Sequence, residues 1–549
     1  MTDKNIPTII IGLDGAHWKL LDKFIHDGAM PTFQRMKDEG SWGILRSCIP
    51  PLSAPAWASF ATGMTPGKHG VFDWTVLSKG GFQRTPMNST TIKGERFWQT
   101  LSRRDVSVGV VNVPLSYPPY PVKGFLITDW LTPSDDVDFT YPRELKNEMT
   151  RETGGYNIGV RSWEKYASQG LGALIDDIIE VHRNRIKNLL YLYEQKRPDL
   201  MCGVFTGTDL LQHTFTHVLD SSHPLYSKEL EEMYRPRIGE YMSMIDDLVT
   251  KMREMTGDKA RWLFLSDHGL SSLYKKVYVN RYLEDAGLLS FAHVRKGFLD
   301  VAVPLAKKIG LTRDLMQKVL GGKNDDIKSS NLLDRMNRQT GAVDWAKTRV
   351  FAMSTDGVYV NIKSRFPFGI VEDGEDYQRA REEAKAALLK LRDPDNDRQV
   401  IDKVIFKEEI YSGQELPNAP DLFLEVTDGP YQLSHTFEPK SSGIFEVQDW
   451  QTGRHHKDGM IMMWGDSVEA GKITGSIWDV APTILHWMGF PIPNAMDGTP
   501  IRNAFTREFQ NSHQVETCPS VEAQAQEFQW SDDEKEELEK RLEGLGYLG

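Results

Sequence analysis

The sequence has few cysteines, no long apolar run and no excess of positive charge, and each shortage excludes a class of protein. Three cysteines in 549 residues, Cys48, Cys202 and Cys518, cannot form a disulfide framework and fit a reducing compartment. The longest apolar runs, such as residues 459–465, fall far short of the roughly 18–20 residues that a membrane helix needs. Residues 1–5 carry no basic stretch leading into an apolar one, so we read no secretory signal and expect a cytoplasmic protein.

The charge balance and the missing glycine motifs limit the partners. The 65 Lys and Arg residues against 77 Asp and Glu residues give a net charge of −12, which argues against nucleic-acid binding through overall charge. We find no nucleic-acid-binding motif, and no Gly-x-Gly-x-x-Gly follows the first apolar run. Residues 63–69 resemble a P-loop but have three residues between the glycines, where four are required. The sequence does not indicate an oligomeric state.

Short apolar runs alternate with long helical patterns in the first half of the chain. This alternation predicts an α/β fold with a mostly parallel, buried sheet. Ligands of such sheets bind at the carboxyl ends of the strands. The predicted strands are residues 8–14, 106–113, 200–206 and 262–266, and the predicted helices are residues 172–194 and 238–255.

Carboxylates and imidazoles follow several of these predicted strands. Alone, each fits a surface turn or an exposed ion pair. Together, three aspartates and three histidines form a ligand set for two divalent ions. Mixed nitrogen and oxygen donors suit zinc better than magnesium or calcium, with manganese as an alternative. The candidate ligands are Asp14, Asp209, His213, Asp267, His268 and His455.

Ser53 begins a proline-bearing turn that leads into a short apolar helix. Such a serine is also typical of a helix cap or a turn. Two ions about 4 Å apart stabilise the attacking and leaving oxygens of a displacement at phosphorus. No histidine base pairs with Ser53 at a recognisable spacing, so metal coordination is the simpler way to lower the pKa of its hydroxyl.

Several motifs together resemble the alkaline phosphatase superfamily. Within it, the chain is most similar to the type I phosphodiesterase/nucleotide pyrophosphatase group, in its predicted phosphohydrolase or phosphomutase branch. The resemblance covers most of the chain and implies a three-layer sandwich with an inserted helical cap. The motifs are Asp14-Gly15, Ser53-Ala-Pro-Ala-Trp57, Thr62-Gly-Met-Thr-Pro-Gly-Lys-His-Gly70, Ser266-Asp-His-Gly269 and Asp479-Val-Ala-Pro-Thr-Ile-Leu485.

The resemblance also implies how the site is arranged. Ser53 is the nucleophile and forms a phosphoseryl intermediate, which water then hydrolyses. His455 is preferred over His456 because it lies four residues before Gly459, as the His-x-x-x-Gly pattern of the family requires. Asp14, Ser53, Asp267 and His268 hold one ion, and Asp209, His213 and His455 hold the other.

Three departures from related groups shape the expectation. Ser53 stands where nucleotide pyrophosphatases usually carry threonine. Trp74 stands where they carry the asparagine that binds a phosphate oxygen, so we expect another group to hold the phosphate. Trp57 stands where sulfatases need arginine for formylglycine formation, which argues against sulfatase chemistry.

We expect four segments: a catalytic core of residues 1–270 and 348–508, a helical cap of residues 271–347, and a tail of residues 509–549 with a docking helix. Residues 295–349 contain twelve Lys and Arg but only six Asp. This basic stretch suggests Lys307, Lys308 and Arg313 as contacts for an anionic substrate. A solvated helical face, a membrane surface and a partner surface stay open as alternatives.

The resulting prediction is a two-metal phosphohydrolase that cleaves a phosphodiester or a related phosphoryl ester through Ser53. Two alternatives remain. One is a phosphoryl transferase or phosphomutase that uses the same centre, and the other is a non-catalytic metal-binding scaffold. The sequence does not name the physiological substrate.

Overall fold

The computed structural model of the protein describes residues 6–77, 84–160, 170–291, 340, 343–426, 429–437, 443–521 and 528–544. In the first half, the strands are β1 (Thr8–Leu13), β2 (Ser41–Arg46), β3 (Thr75–Leu77), β4 (Arg84–Pro86), β5 (Val108–Val111), β6 (Gly124–Ile127), β7 (Thr140–Tyr141), β8 (Leu200–Phe205), β9 (Arg261–Leu265), β10 (Gly269–Ser272) and β11 (Lys275–Tyr278). In the second half, they are β12 (Val350–Ser354), β13 (Gly357–Val360), β14 (Lys403–Phe406), β15 (Leu422–Glu425), β16 (Tyr431–Ser434), β17 (Phe445–Val447), β18 (Gly453–His456), β19 (Asp458–Trp464), β20 (Gly471–Ser476), β21 (Ile492–Pro493) and β22 (Thr517–Cys518).

Helices connect and cover these strands. The first eight are α1 (Trp18–His26), α2 (Pro31–Glu39), α3 (Ser53–Thr62), α4 (Pro66–His69), α5 (Phe97–Ser102), α6 (Leu145–Thr153), α7 (Leu171–Lys196) and α8 (Gly207–Leu219). The others are α9 (Lys228–Thr256), α10 (Val279–Asp285), α11 (Glu375–Leu388), α12 (Lys407–Ile410), α13 (Val480–Trp487), α14 (Arg507–Ser512) and α15 (Asp532–Gly544). None of the helices in the described ranges is both long and apolar enough to span a bilayer.

Nine strands form the central sheet, in the order β20-β2-β19-β9-β1-β8-β5-β6-β7. Neighbouring strands are parallel at five of the eight pairings, and β1 runs parallel to both β8 and β9. Every residue of β1, β8 and β9 is buried, as expected for strands covered on both faces. The predicted α/β class with a mostly parallel sheet is confirmed.

An apolar cluster lies on each face of this sheet. Ile9 and Ile11 of β1 point into one cluster, which the apolar faces of α7 and α9 complete. Ile10 points into the other cluster, together with Trp57 and Phe60 of α3. Alternate residues of a strand face opposite sides, so one continuous apolar strand serves both layers. The result is the helix, sheet and helix layering that the resemblance implies.

A third apolar cluster lies outside the central sheet and forms a second lobe between Val277 and Phe437. It contains the sheet β12-β13-β15-β14 and helices α10 and α11. The described start of the predicted 271–347 cap is partly strand, because β11 pairs with β16 and β17. The lobe also continues past residue 347, because β13 pairs with β15. The segment boundaries of the sequence analysis stay predictions.

The described part of the tail ends in helix α15, which packs on the outer face of the core. Ser531 and Glu534 exchange hydrogen bonds at its start, in the arrangement of a capping box. Leu538 and Leu542 are fully buried in a cluster with Trp74.

Candidate metal centre

The strand ends bring the candidate ligands to one edge of the central sheet. Asp14 follows β1 directly, and β1 is in register with β8 up to the pair Leu13 and Phe205. Asp209 lies in the first turn of α8, just after β8. Asp267 follows β9, on the other side of β1. Three carboxylates far apart in sequence therefore meet because their parallel strands end together.

Asp14, Asp267 and His268 form the first cluster, with ligand atoms within 4.8 Å of one another. His268 Nε2 lies 3.2 Å from Asp267 Oδ2 and 3.6 Å from Asp14 Oδ1. Ser53 Oγ lies 3.1 Å from the same imidazole nitrogen. Asp14 Oδ1 and Asp267 Oδ2 are buried and accept no hydrogen bond from the described residues. Buried carboxylate oxygens without a hydrogen-bond partner are suited to bind a cation.

Asp209, His213 and His455 form the second cluster. Asp209 Oδ1 lies 3.3 Å from His213 Nε2 and 3.5 Å from His455 Nε2. The His455 ring stacks on that of His268 with 3.7 Å between centroids, so the two clusters adjoin. His456, the next residue on β18, is not part of either cluster. Successive strand residues point to opposite sides, which separates the two histidines.

Hydrogen bonds to backbone carbonyls orient all three clustered imidazoles. His213 Nδ1 lies 2.9 Å from Gly453 O, His455 Nδ1 2.9 Å from Pro51 O, and His268 Nδ1 3.1 Å from Gly269 O. A carbonyl only accepts, so these three contacts favour the tautomer with the proton on Nδ1 and the lone pair on Nε2. Gln451 Nε2 also lies 3.1 Å from His213 Nδ1, and the Nε2 atoms of His213 and His455 are 2.9 Å apart. Metal-binding histidines are oriented in this way. The donor set and its orientation therefore fit divalent cations.

Burial and crowding set the charges in the centre. Burial and the neighbouring carboxylates of Asp267 and Asp209 hold the pKa of Asp14 well above its usual value. Burial also raises the pKa of Asp267 to about 7. Burial raises the pKa of Asp209 as well, but the imidazoles of His213 and His455 outweigh it and bring that pKa well below its usual value. Three buried carboxylates in one place strongly favour a bound cation.

Ser53 is the first residue of α3 and is buried. The first turn of a helix leaves N–H groups without acceptors, which makes its N-terminus attractive to anions. Trp57, one turn later, donates its indole N–H to Asp14 Oδ2 at 3.2 Å. A Cβ added to Gly12 would come within 2.5 Å of the Trp57 ring, so the tight packing of α3 on β1 requires glycine there.

No sequence motif predicts the residues that join the core to the second lobe. Trp74, where the resemblance expects an asparagine, is buried in an apolar cluster. Its neighbour Asp73 instead forms a buried ion pair with Arg84 at 2.9 Å. Arg84 in turn reaches His435 of the second lobe. No motif marks these residues, since their proximity depends on how the two lobes pack.

A narrow cleft, which we call the interlobe cleft, opens beside the second cluster. His213 and His455 lie on its core side, next to Leu52. Asp356 and His435 lie on the side of the second lobe. The cleft therefore opens next to the start of α3, where Ser53 lies. The substrate contacts suggested by the sequence, Lys307, Lys308 and Arg313, lie outside the described residues and stay predictions.

The chain is similar to known proteins in sequence and in fold. The family model for type I phosphodiesterase / nucleotide pyrophosphatase matches residues 8–458. No curated protein matches the chain. Phosphonoacetate hydrolase from Sinorhizobium meliloti 1021, solved with phosphonoacetate and with phosphonoformate, is 16% identical with a TM-score of 0.50, over 84% of this chain and 90% of that chain. Human ectonucleotide pyrophosphatase / phosphodiesterase 5 is 11% identical with a TM-score of 0.48, over 90% and 97% of the two chains.

Proposed function

This chain belongs to the type I phosphodiesterase / nucleotide pyrophosphatase family, a family of metal-dependent phosphoric ester hydrolases, and from that premise we propose a two-metal phosphodiesterase that uses Ser53 as its nucleophile. The substrate is a phosphodiester or a related phosphoryl ester. The observation that carries the proposal is the convergence of three oriented imidazoles, three buried carboxylates and the Ser53 hydroxyl at one edge of the sheet.

The residues of the two clusters divide between the two ions. Asp14, Ser53, Asp267 and His268 would hold one ion, and Asp209, His213 and His455 the other. Bound ions would lower the pKa of the Ser53 hydroxyl and balance the charge of the phosphoryl oxygens. We favour zinc because nitrogen and oxygen donors are mixed, with manganese as the alternative.

Ser53 carries the covalent step. Its Oγ releases the hydroxyl proton to solvent and forms a bond to phosphorus. The bond from phosphorus to the alcohol oxygen breaks, and this oxygen takes up a proton from water. Water then attacks the phosphoserine and frees the hydroxyl of Ser53. The N-terminal amides of α3 would donate hydrogen bonds to a phosphoryl oxygen. They would take over the role of the asparagine that related enzymes carry where this chain has Trp74.

Replacing Ser53 tests the proposal. We expect Ser53→Ala to lower kcat toward bis(4-nitrophenyl) phosphate by about 10³-fold or more, because the attacking oxygen is gone. Ser53→Thr is the matched control, since it keeps a hydroxyl at the position, and it should keep much of the activity. Metal content measured by mass spectrometry should be close to two ions per chain in the wild type. Full turnover by Ser53→Ala with metals bound would show that Ser53 is not the nucleophile.

The same assay separates the alternatives. With an added alcohol, a transferase would release a new phosphate ester of that alcohol, whereas the proposed hydrolase releases mainly the product of water attack. A purified wild type that binds metal but cleaves no phosphoryl ester would instead support the metal-binding scaffold. Product analysis by phosphorus NMR distinguishes these results.

A further inference from the structure

His435 lies on the second-lobe side of the interlobe cleft, and its contacts define which ring nitrogen carries the proton. Arg84 Nη1 lies 3.3 Å from His435 Nε2. A guanidinium only donates, so this imidazole nitrogen must accept, and the ring must be neutral with its proton on Nδ1. Burial and the charge of Arg84 lower the pKa of His435 to about 3, in agreement with a neutral ring.

Arg84 is itself held in place from the core side. It donates to Asp73 Oδ2 at 2.9 Å and to Thr75 Oγ1 at 2.6 Å. The side chains of Arg84 and Asp73 are only 3% and 4% exposed. Asp73 also accepts a hydrogen bond from the backbone N–H of Thr355, which lines the cleft. This buried ion pair therefore fixes two parts of the second-lobe wall.

The same wall has polar atoms that form no hydrogen bond with the described residues. His435 is 5% exposed, and its Nδ1–H donates to no group in the described ranges. The buried Oε1 of Gln432 accepts no hydrogen bond from those residues. The carboxylate of Asp356, on the turn after β12, supplies further acceptor oxygens. A donor that lines the same cleft as acceptors is complementary to hydroxyl groups, because each hydroxyl both donates and accepts.

We propose that His435, Gln432 and Asp356 bind hydroxyl groups on the alcohol part of the phosphoester, so that the natural substrate is an ester of a polyol. The inference deepens the proposed function and rests on it, because the cleft adjoins His213, His455 and the helix of Ser53. His435 donates from Nδ1 to a hydroxyl oxygen. Gln432 and Asp356 accept from hydroxyl protons.

Two chromogenic diesters with one leaving group test this inference. One is 2,3-dihydroxypropyl 4-nitrophenyl phosphate, and the other is propyl 4-nitrophenyl phosphate, which lacks the hydroxyls. The turnover of Ser53→Ala is subtracted for each ester, because the neighbouring hydroxyl of the first can displace nitrophenolate by itself. We expect wild-type kcat/KM to favour the dihydroxypropyl ester by about tenfold or more, as for one to two net hydrogen bonds. His435→Leu should reduce this ratio by about threefold or more. His435→Asn should keep most of it, because an Asn amide can place an N–H near the position of Nδ1.

Controls separate recognition from folding. His486→Leu removes another buried histidine, on α13 and away from the cleft, and should leave the ratio unchanged. If His435→Leu does not fold, Gln432→Leu removes an acceptor from the same wall and should also lower the ratio. A wild-type ratio near one, or an equal ratio in wild type and both cleft variants, overturns the inference while leaving the proposed hydrolase intact.

Binding gives a second measurement that does not depend on turnover. Calorimetry with glycerol phosphate and propyl phosphate should show tighter binding of the glycerol ester to the wild type, and His435→Leu should remove most of that difference. If neither diester is cleaved although bis(4-nitrophenyl) phosphate is, the proposed function stands and this binding difference decides the inference. Equal affinities for the two monoesters would then overturn it.

Discussion

Single buried histidines serve two different purposes in this protein. His213, His268 and His455 keep their Nε2 lone pairs directed at the carboxylate clusters. His69 is instead a structural bridge between α3 and α4. Its Nε2 lies 2.9 Å from Ser59 Oγ, and its Nδ1 accepts the N–H of Val71 at 3.1 Å. The residue type alone does not distinguish these uses, but the partners of each ring nitrogen do.

Because His69 is buried, we expect the folded protein to lose stability in mild acid. Burial lowers its pKa in the folded protein to about 3, against about 6.5 in an unfolded chain. Below pH 6.5 the unfolded chain therefore takes up a proton that the folded one does not. The stabilisation is complete above pH 6.5 and is lost as the pH falls toward 3. At pH 5.5 the loss from this one residue is about 1 kcal/mol.

Urea unfolding at pH 8 and pH 5.5 measures this loss. His69→Asn keeps an acceptor for the Val71 N–H but does not titrate, so its free energy of unfolding should fall less between the two pH values than that of the wild type. Both proteins are compared with EDTA present, which keeps metal binding out of the comparison. Equal pH dependence in the two proteins would mean that His69 is not held neutral.

At the scale of elements, apolar periodicity located the helices better than it located their ends. The pattern over residues 172–194 became α7, Leu171–Lys196, almost unchanged. The pattern over residues 238–255 became α9, Lys228–Thr256, which begins ten residues earlier. Those first residues are mostly charged and include Pro236, which obscures the helical pattern, although Leu230 and Tyr234 pack against the core. Ser227 caps the start of the helix by accepting from the N–H of Leu230.

The docking of helix α15 on the core depends on its buried leucines. Leu538 is fully buried against the cluster that contains Trp74 and Trp530. We expect Leu538→Ala to weaken docking of the helix by about 2–5 kcal/mol, because it leaves a cavity. Hydrogen exchange of the amides of α15 should then become faster. Lys540→Ala, whose side chain is 66% exposed, is the matched control and should leave exchange unchanged. Unchanged protection in Leu538→Ala would show that this contact does not hold the tail.

For the whole molecule, the clusters join segments that are remote in sequence. Their residues come from the ends of β1 and β9, from α8 and from β18. Ions bound there would tie these segments together in the folded state only. Ligands that bind the folded state stabilise it by about 4 kcal/mol when present at about 1,000 times their Kd.

Removing metal should therefore lower the melting temperature. We expect EDTA to reduce Tm by several degrees in calorimetry, and added zinc to restore it. Asp209→Asn should show a smaller shift than the wild type, because one cluster loses its carboxylate. Asp220→Asn, which changes a partly buried carboxylate that pairs with Lys19 outside both clusters, should respond like the wild type. A Tm that does not change with EDTA or zinc would contradict a metal centre.

The sequence by itself determined the class of fold, the family and the residue types at the strand ends. It could do so because buried parallel strands read as apolar runs, and ligand residues follow them within a few positions. The tertiary structure decided which nitrogen of each histidine carries the proton, since those carbonyl partners lie up to 404 residues away in the chain. It also decided that Asp73, Arg84 and His435 form one buried connection to the interlobe cleft. That connection depends on how two lobes pack, which no local spacing encodes.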